Sequence, residues 1–198
     1  MRPITAILLA LLLTACGTTQ YPMPYAPTSP VTAQQPPGPV ARTAAVRNSR
    51  ATGGEDPVWI GTIRGGYGNP IRTLQADRPL DQAVQRAFND GLAARGWLAQ
   101  QAPRVEIEIT IREFVANRYV RLEATAELEL VLRERGSGRV LWQDREKVNN
   151  VEGSILALDT GVFADPAGLH ALMLRTMNQA IDRLLDRPGF AAALLQAR

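Results

Sequence analysis

The sequence predicts an α+β domain: a four-stranded mixed sheet with two helices packed on one face, in the order β-α-β-β-β-α. Three observations carry this expectation. Paired runs of two-residue alternation occupy the middle of the chain, one apolar stripe at helical spacing precedes them, and another follows.

Residues 58–64 read as a short first strand that stops at Gly65 and Gly66. The stretch Gly65-Gly66-Tyr67-Gly68-Asn69-Pro70 has the flexibility of an anion nest. It lacks the Lys and the Ser or Thr of a phosphate loop and opens no helix, so it reads as a turn rather than a ligand cradle. Asp77 and Pro79 mark a helix start, and Leu80, Val84, Ala87, Phe88 and Leu92 form one buried stripe until Gly96 stops it. Trp97 and Leu98 then cover the stripe's lower end.

Val105, Ile107, Ile109 and Ile111 alternate with Glu106, Glu108, Thr110 and Arg112. Leu122, Ala124, Ala126, Leu128, Leu130 and Leu132 alternate with Arg121, Glu123, Thr125, Glu127, Glu129 and Val131. A hairpin turning through residues 115–118 sets Ile111 opposite Leu122 and Val105 opposite Leu128. The same register faces Arg112 with Arg121, a like-charge contact that counts against it. Gly136 and Gly138 separate a third antiparallel strand at 139–148. Asp165 and Pro166 open the last major helix, whose stripe is Leu169, Leu172, Met173, Met177, Ile181, Leu184 and Leu185. The two methionines read as core filler. Pro188 and Gly189 close that helix, and a small one at 190–197 patches the sheet edge. The first strand, helix and second strand make a right-handed crossover, and two hairpins extend the sheet.

Ahead of this domain, Arg2 precedes an apolar core from 4 to 13 that is too short to span a bilayer and has the layout of an export signal. It ends in Leu13-Thr14-Ala15-Cys16, which resembles the lipobox of bacterial lipoproteins. That resemblance implies lipidation of Cys16 and cleavage before it, against the plainer alternative of a buried Cys after an ordinary signal peptide. Gly17, where Asp is absent, resembles lipoproteins sent to the outer membrane, with the domain in the periplasm. The division expected is a signal peptide at 1–15, a lipidated Cys with a Pro-rich tether at 16–57, and a single domain at 58–198. Seven prolines between 22 and 39 favour a semi-extended spacer. Tyr21, Met23 and Tyr25 among them suit a docking peptide or an incidental part of that spacer. Arg42, Arg47 and Arg50 near its end offer contacts to anionic head groups or simple solubility.

Composition narrows the chemistry. The single cysteine is assigned to lipid, which leaves no disulfide, thiol catalysis or Cys-based zinc site. His170 is the only histidine, so a multi-histidine metal centre is excluded, and it reads as an exposed or capping residue. No cofactor is expected. Lys plus Arg number 22 against 19 Asp plus Glu, too small a surplus to signal nucleic-acid binding.

The chain resembles the YajG-like family of small outer-membrane lipoproteins and, more loosely, the lipoproteins that activate cell-wall synthases. The resemblance rests on Leu13-Thr14-Ala15-Cys16, on Leu92-Ala93-Ala94-Arg95-Gly96-Trp97, on Val105-Glu106-Ile107-Glu108-Ile109, and on the alternation from 124 to 132 followed by Gly138-Arg139-Val140-Leu141-Trp142. It implies an envelope lipoprotein with a binding, assembly or regulatory role and no catalytic residues. The partners expected are the membrane, through lipid at Cys16, and an envelope protein or cell-wall polymer. Two loops are the candidate contact surfaces. Tyr67, Arg72 and Arg78 offer stacking and anion binding in the first, at 65–78; Leu158 and Phe163 offer apolar contacts in the second, at 149–164. An accessory lipoprotein of an envelope transport system is the nearest alternative. A hydrolase using the carboxylates Glu106, Glu108, Glu127 and Glu129 is the alternative of a different class.

Overall fold

In a computed structural model, which describes residues 20–33, 35–153 and 166–197, the alternating runs lie at the centre of a larger sheet than expected. In chain order the elements are β1 (Gln20–Tyr21), β2 (Ala41–Asn48), β3 (Trp59–Arg64), β4 (Pro70–Ala76), α1 (Leu80–Ala94), β5 (Val105–Arg118), β6 (Leu122–Glu134), β7 (Val140–Glu152), α2 (Pro166–Leu185) and α3 (Pro188–Gln196). The predicted order β-α-β-β-β-α is overturned, since the chain runs β-β-β-β-α-β-β-β-α-α with β4 between β3 and α1. The four-stranded sheet with two helices is corrected to seven strands and three helices, because β1, β2 and β4 join as well.

The sheet runs β1-β4-β3-β5-β6-β7. On one edge β5 carries two parallel partners end to end, β2 beside its first half and β3 beside its last residues. On its other edge β6 and then β7 pair antiparallel. β3 and β4 form a hairpin, and β1 adds two parallel residues to β4. Gly61 marks where β3 meets β5. A Cβ there would stand 1.8 Å from the Ala116 carbonyl oxygen, so the close approach admits only glycine.

Two of the added strands come from the stretch read as a spacer. β2 buries Ala41 and Thr43, side chains small enough for α1 to lie almost directly on the backbone. Such a strand lacks the large apolar residues that make a strand visible in sequence. A bulge at Ala44 breaks its ladder with β5, and α1 meets the freed backbone groups: Asn89 accepts from the Thr43 amide at 3.1 Å, and Gln85 donates to the Thr43 carbonyl at 3.2 Å. β4 buries only Leu74 and Ala76, too few for an alternation signal.

The expected register of the β5–β6 hairpin is also corrected. Val105 faces Glu134 and Ile111 faces Leu128, and the turn falls at 119–121. The register differs because β5 runs on to Arg118, which moves the turn beyond the expected 115–118, and β5 also carries a bulge at Arg112. The bulge shifts the inward phase by one residue, so Phe114 and Ala116 are buried where unbroken alternation would bury Glu113 and Val115. Arg112 escapes Arg121 and instead pairs with Glu129 at 2.8 Å.

All three helices pack on one face. The stripes of α1 and α2 meet Ile107, Ile109, Leu128 and Leu130, and Met173 and Met177 are core filler as expected. In α3, Phe190 stacks on Trp97 and meets Trp142 edge-on, each at a centroid distance of 5.6 Å, which seals the end of the layer. Phe88 is completely buried. Phe88→Ala should therefore cost about 3–5 kcal/mol in chemical denaturation, through lost transfer energy and the cavity left behind. Glu108→Ala, which removes a surface pair with Arg133, should change stability by less than about 1 kcal/mol. A Phe88→Ala protein as stable as the parent would refute this helix packing.

Candidate functional site

The Pro-rich stretch from 20 to 40 is a strap laid over the helical layer. Tyr21 stacks on His170 at a centroid distance of 4.7 Å, and Met23 is buried. Burial holds the His170 pKa below its ordinary value despite the opposing pull of the Pro22 carbonyl. The imidazole is then neutral at pH 7, and its Nε2 donates to that carbonyl at 2.8 Å. Farther on, the Tyr25 hydroxyl donates to Asp182 Oδ1 at 2.5 Å, while the Thr28 amide and hydroxyl donate to Oδ2 at 2.7 and 2.6 Å. Fully buried Arg95 closes the cluster by reaching Asp182 and Asp186 at 3.1 and 2.6 Å. Burial alone would raise the Asp182 carboxyl; the Thr28, Tyr25 and Arg95 donors outweigh it and hold the group below the usual range. Burial and then the neighbouring Asp182 push Tyr25 up to about 12. At its far end the strap donates from the Gln35 amide to the Arg95 carbonyl and from the Val40 amide to the Trp97 carbonyl. Of the three spacer arginines, Arg42 and Arg47 are exposed but Arg50 is buried, which corrects its reading as a head-group contact.

The second feature lies at one end of the sheet. Because β3, β5 and β7 run parallel, the β3–β4 turn, the β5–β6 turn and the end of β7 gather there. Tyr119 ties the first two together, its hydroxyl donating to the Gly66 carbonyl at 3.2 Å. Among the described residues seven large apolar side chains are exposed, and five of them, Tyr67, Ile71, Tyr119, Val120 and Val151, sit at this end. That concentration distinguishes a contact surface from scattered exposure. Tyr67 is fully exposed, and Arg64 and Arg72 flank it. Of the expected site residues, Tyr67 and Arg72 lie on the same hairpin. Arg78 does not join them. It lies beyond the far end of β4, paired with Asp77 at 2.9 Å beside a groove of about 180 Å³. Cys16, Leu158 and Phe163 lie outside the described residues. The first four residues of the expected loop at 149–164 prove to be the end of β7. Sequence reasoning passed over Ile71, Tyr119 and Val120. The available signal was a Tyr-Val pair at a turn, where solvated residues are the rule.

The open face of the sheet carries the carboxylates. Glu106 pairs with Arg135 at 3.4 Å, Glu108 with Arg133 at 3.3 Å and Glu129 with Arg112 at 2.8 Å, while Glu127 bridges Arg145 and Lys147. Glu127 is buried beneath its partners, whereas Glu106, Glu108 and Glu129 stand partly exposed on the sheet face. Among the described residues no group of three or more His, Cys, Asp or Glu is placed to hold a metal ion, and no helix is long and apolar enough to cross a membrane.

No protein-family model and no curated protein matches the sequence. Solved structures do resemble it. A Xanthomonas campestris protein described by the family model DUF330 is 23% identical, with 85% of this chain and 95% of that chain covered and a TM-score of 0.52. PelC from Paraburkholderia phytofirmans, solved as a dodecamer, is 12% identical over 80% of this chain and 92% of its own, with a TM-score of 0.41. A lipoprotein from Neisseria meningitidis is 11% identical over 72% of this chain and 97% of its own, with a TM-score of 0.30. The first of these shows a shared fold. None of the three bears the YajG name that the sequence motifs suggest.

Proposed function

We propose that this chain is a nonenzymatic binding module of the cell envelope, anchored to the outer membrane by lipid at Cys16 with its domain in the periplasm. It docks an envelope protein or polymer through the end of the sheet where the turns gather, in an assembly or regulatory role. The observation that supports this reading is the clustering of Tyr67, Ile71, Tyr119, Val120 and Val151 at that end. Of the carboxylates that a hydrolase would need, Glu106, Glu108 and Glu129 are paired with arginines on the partly exposed sheet face, and Glu127 is held by Arg145 and Lys147. Leu158 and Phe163 belong to the connection from β7 to α2, both of whose ends lie at the same place. They lie outside the described residues and stay in the proposal on the sequence reading alone, with Tyr67 and Arg72, whereas Arg78 is left out.

The test is photo-crosslinking in intact envelopes from position 120, with position 137 in the opposite turn as control. A discrete protein or polymer adduct from 120 and none from 137 is the expected result. Cys16→Ser should abolish it by releasing the domain or leaving it unprocessed, and mass spectrometry of the mature amino-terminal peptide should find acyl chains on Cys16. Identical crosslinking patterns from both positions would refute the surface, and an unmodified terminus would refute the anchor.

A further inference from the structure

We infer that the β3–β4 hairpin rests on the anionic phospholipid surface itself, with Tyr67 and Ile71 entering the interfacial layer and Arg64 and Arg72 meeting head-group phosphates. The inference rests on the anchored-module reading and narrows it, assigning one part of the contact surface to lipid and leaving Tyr119 and Val120 to the partner.

A free tether over 16–57 would let the domain stand far from the bilayer, but the strap is fastened to the domain from Gln20 onward. β1 is paired with β4, Tyr21 is stacked on His170, and Tyr25 and Thr28 are bonded to Asp182. Only three residues, four residue steps, then separate Cys16 from Gln20 at the start of the sheet. At full extension these steps span about 14 Å, so the acyl chains on Cys16 bring this sheet edge to the membrane. Direction follows from pairing. β1 runs parallel to β4, Gln20 beside Gln75 and Tyr21 beside Ala76, so the chain reaches β1 from the side on which β4 begins. That side is the β3–β4 turn. Four residues back from Gln75 along β4 is Ile71, so the leash is long enough to draw level with the hairpin's exposed end and little farther.

The side chains at that end suit the place. Tyr67 is fully exposed and Ile71 nearly half so, an aromatic with a polar tip beside an aliphatic, the combination favoured at membrane interfaces. Arg64 and Arg72 are exposed on the same hairpin, and a guanidinium beside a lipid surface gains from anionic head groups while its stem covers apolar area. Because Tyr119 touches Gly66, a partner bound at Val120 would meet the module at the bilayer surface.

The lipidated protein, its amino-terminal peptide first checked by mass, is reconstituted into vesicles of phosphatidylethanolamine and phosphatidylglycerol. Nitroxide labels are placed singly at Tyr67→Cys, Ile71→Cys and Ser137→Cys; the chain has one native cysteine, blocked by its thioether, so each new thiol is unique. Labels at 67 and 71 should collide severalfold more with lipid-soluble oxygen, relative to a water-soluble nickel chelate, than the label at 137. Arg72→Glu should reduce that contrast at position 67, and added salt should weaken the parent's contrast more than the variant's. Labels at 67 and 71 as open to the chelate as the one at 137 would overturn the inference. So would labels shielded from both reagents, which would mean that a second copy of the chain covers the hairpin. A terminal peptide without acyl chains would instead remove the anchored-module reading on which the inference stands.

Discussion

Arg95→Met is expected to destabilise the domain by about 3–5 kcal/mol, because removing one member of a buried charge pair strands the other. Arg95 is completely buried and Asp182 nearly so. The pair joins the end of α1 to α2 at a point where Gly91 already brings the helices together, since a Cβ there would fall 2.9 Å from Leu185 Cδ1. Without the guanidinium, Asp182 keeps its donors from Tyr25 and Thr28 but loses its only cationic partner at hydrogen-bond distance among the described residues. The pH dependence separates charge from packing. In the parent, the Asp182 pKa is depressed, so its stabilisation is present above the unfolded value near about 4 and is lost as pH falls through the lower folded value. Tyr25 behaves in the opposite sense. Its folded pKa near 12 preserves its contribution below the unfolded value of about 10 and surrenders it between there and 12. In Arg95→Met the Asp182 pKa moves up from its depressed value while the Thr28 and Tyr25 donors remain, so the stability gap between parent and variant should narrow as pH is lowered from 5 toward 2. A gap of constant size across that range, measured by urea unfolding, would mean that the loss is one of packing. Loss of Tyr21 and Thr28 amide protection in hydrogen exchange would show the strap lifting with the pair.

The parts of this fold that were legible in sequence are those whose burial depends on large apolar side chains. Phe88 and Leu92 on α1, Ile181 and Leu185 on α2, and the isoleucines of β5 repeat at a period that names both the element and its inward face. Where burial works through small residues the signal fails. Ala41 and Thr43 are as deeply placed as any isoleucine, yet they lie in a run that reads as polar linker, and a strand of only two residues such as β1 has no periodicity to detect. The Arg112 bulge is hidden for a related reason: one extra residue reverses the inward phase, and only the partner strand reveals it. Prolines misled in another way. Pro22, Pro24 and Pro27 do prevent helix and inner strand, but a chain that makes no internal ladder can still bond through Tyr25 and Thr28 to a side chain more than 150 residues later, as the separations of 157 and 154 to Asp182 show. At the candidate site, Tyr67 and Arg72 were visible because glycines and a proline flagged their turn. Tyr119 and Val120 were not, since locating them depends on where β5 ends, and its simple alternation already breaks at Arg112.

Arg50→Met should cost on the order of 3 kcal/mol, the second large effect, although among the described residues no carboxylate stands at ion-pair distance from this arginine. Its guanidinium is a peg in the loop between β2 and β3. Nε donates to Asn48 Oδ1 at 2.9 Å, Nη1 to the Trp59 and Phe114 carbonyls at 2.9 and 3.0 Å, and Nη2 to the Gly53 and Asp56 carbonyls at 2.9 and 3.3 Å. Burial pulls its pKa down from the ordinary arginine value, with the Asp56 carboxylate opposing, yet a guanidinium stays charged through any such shift at neutral pH. The charge-assisted bonds therefore persist. Their mechanical role follows from topology: β2 and β3 lie end to end along β5, and Arg50 bonds to the chain on both sides of the break and to β5 itself. Trp59 packs beneath the guanidinium at 5.8 Å, against a Gly53 that has φ of 70° and whose Cβ would meet the indole at 2.0 Å, so the loop closes around these residues alone. Methionine fills the space but leaves the buried Phe114 carbonyl without this donor, and water reaches only the outer oxygens. Lysine keeps the charge but presents a single nitrogen to a ring of acceptors arranged for a planar fork, so Arg50→Lys should recover less than half of the loss. Equilibrium unfolding gives the magnitudes, and amide exchange at Val58 and Trp59 gives the location. Equal stability of the Arg50→Lys and parent proteins would show that charge alone holds the loop. Unchanged exchange in Arg50→Met would show that the two strands keep their alignment through pairing with β5 and need no peg between them.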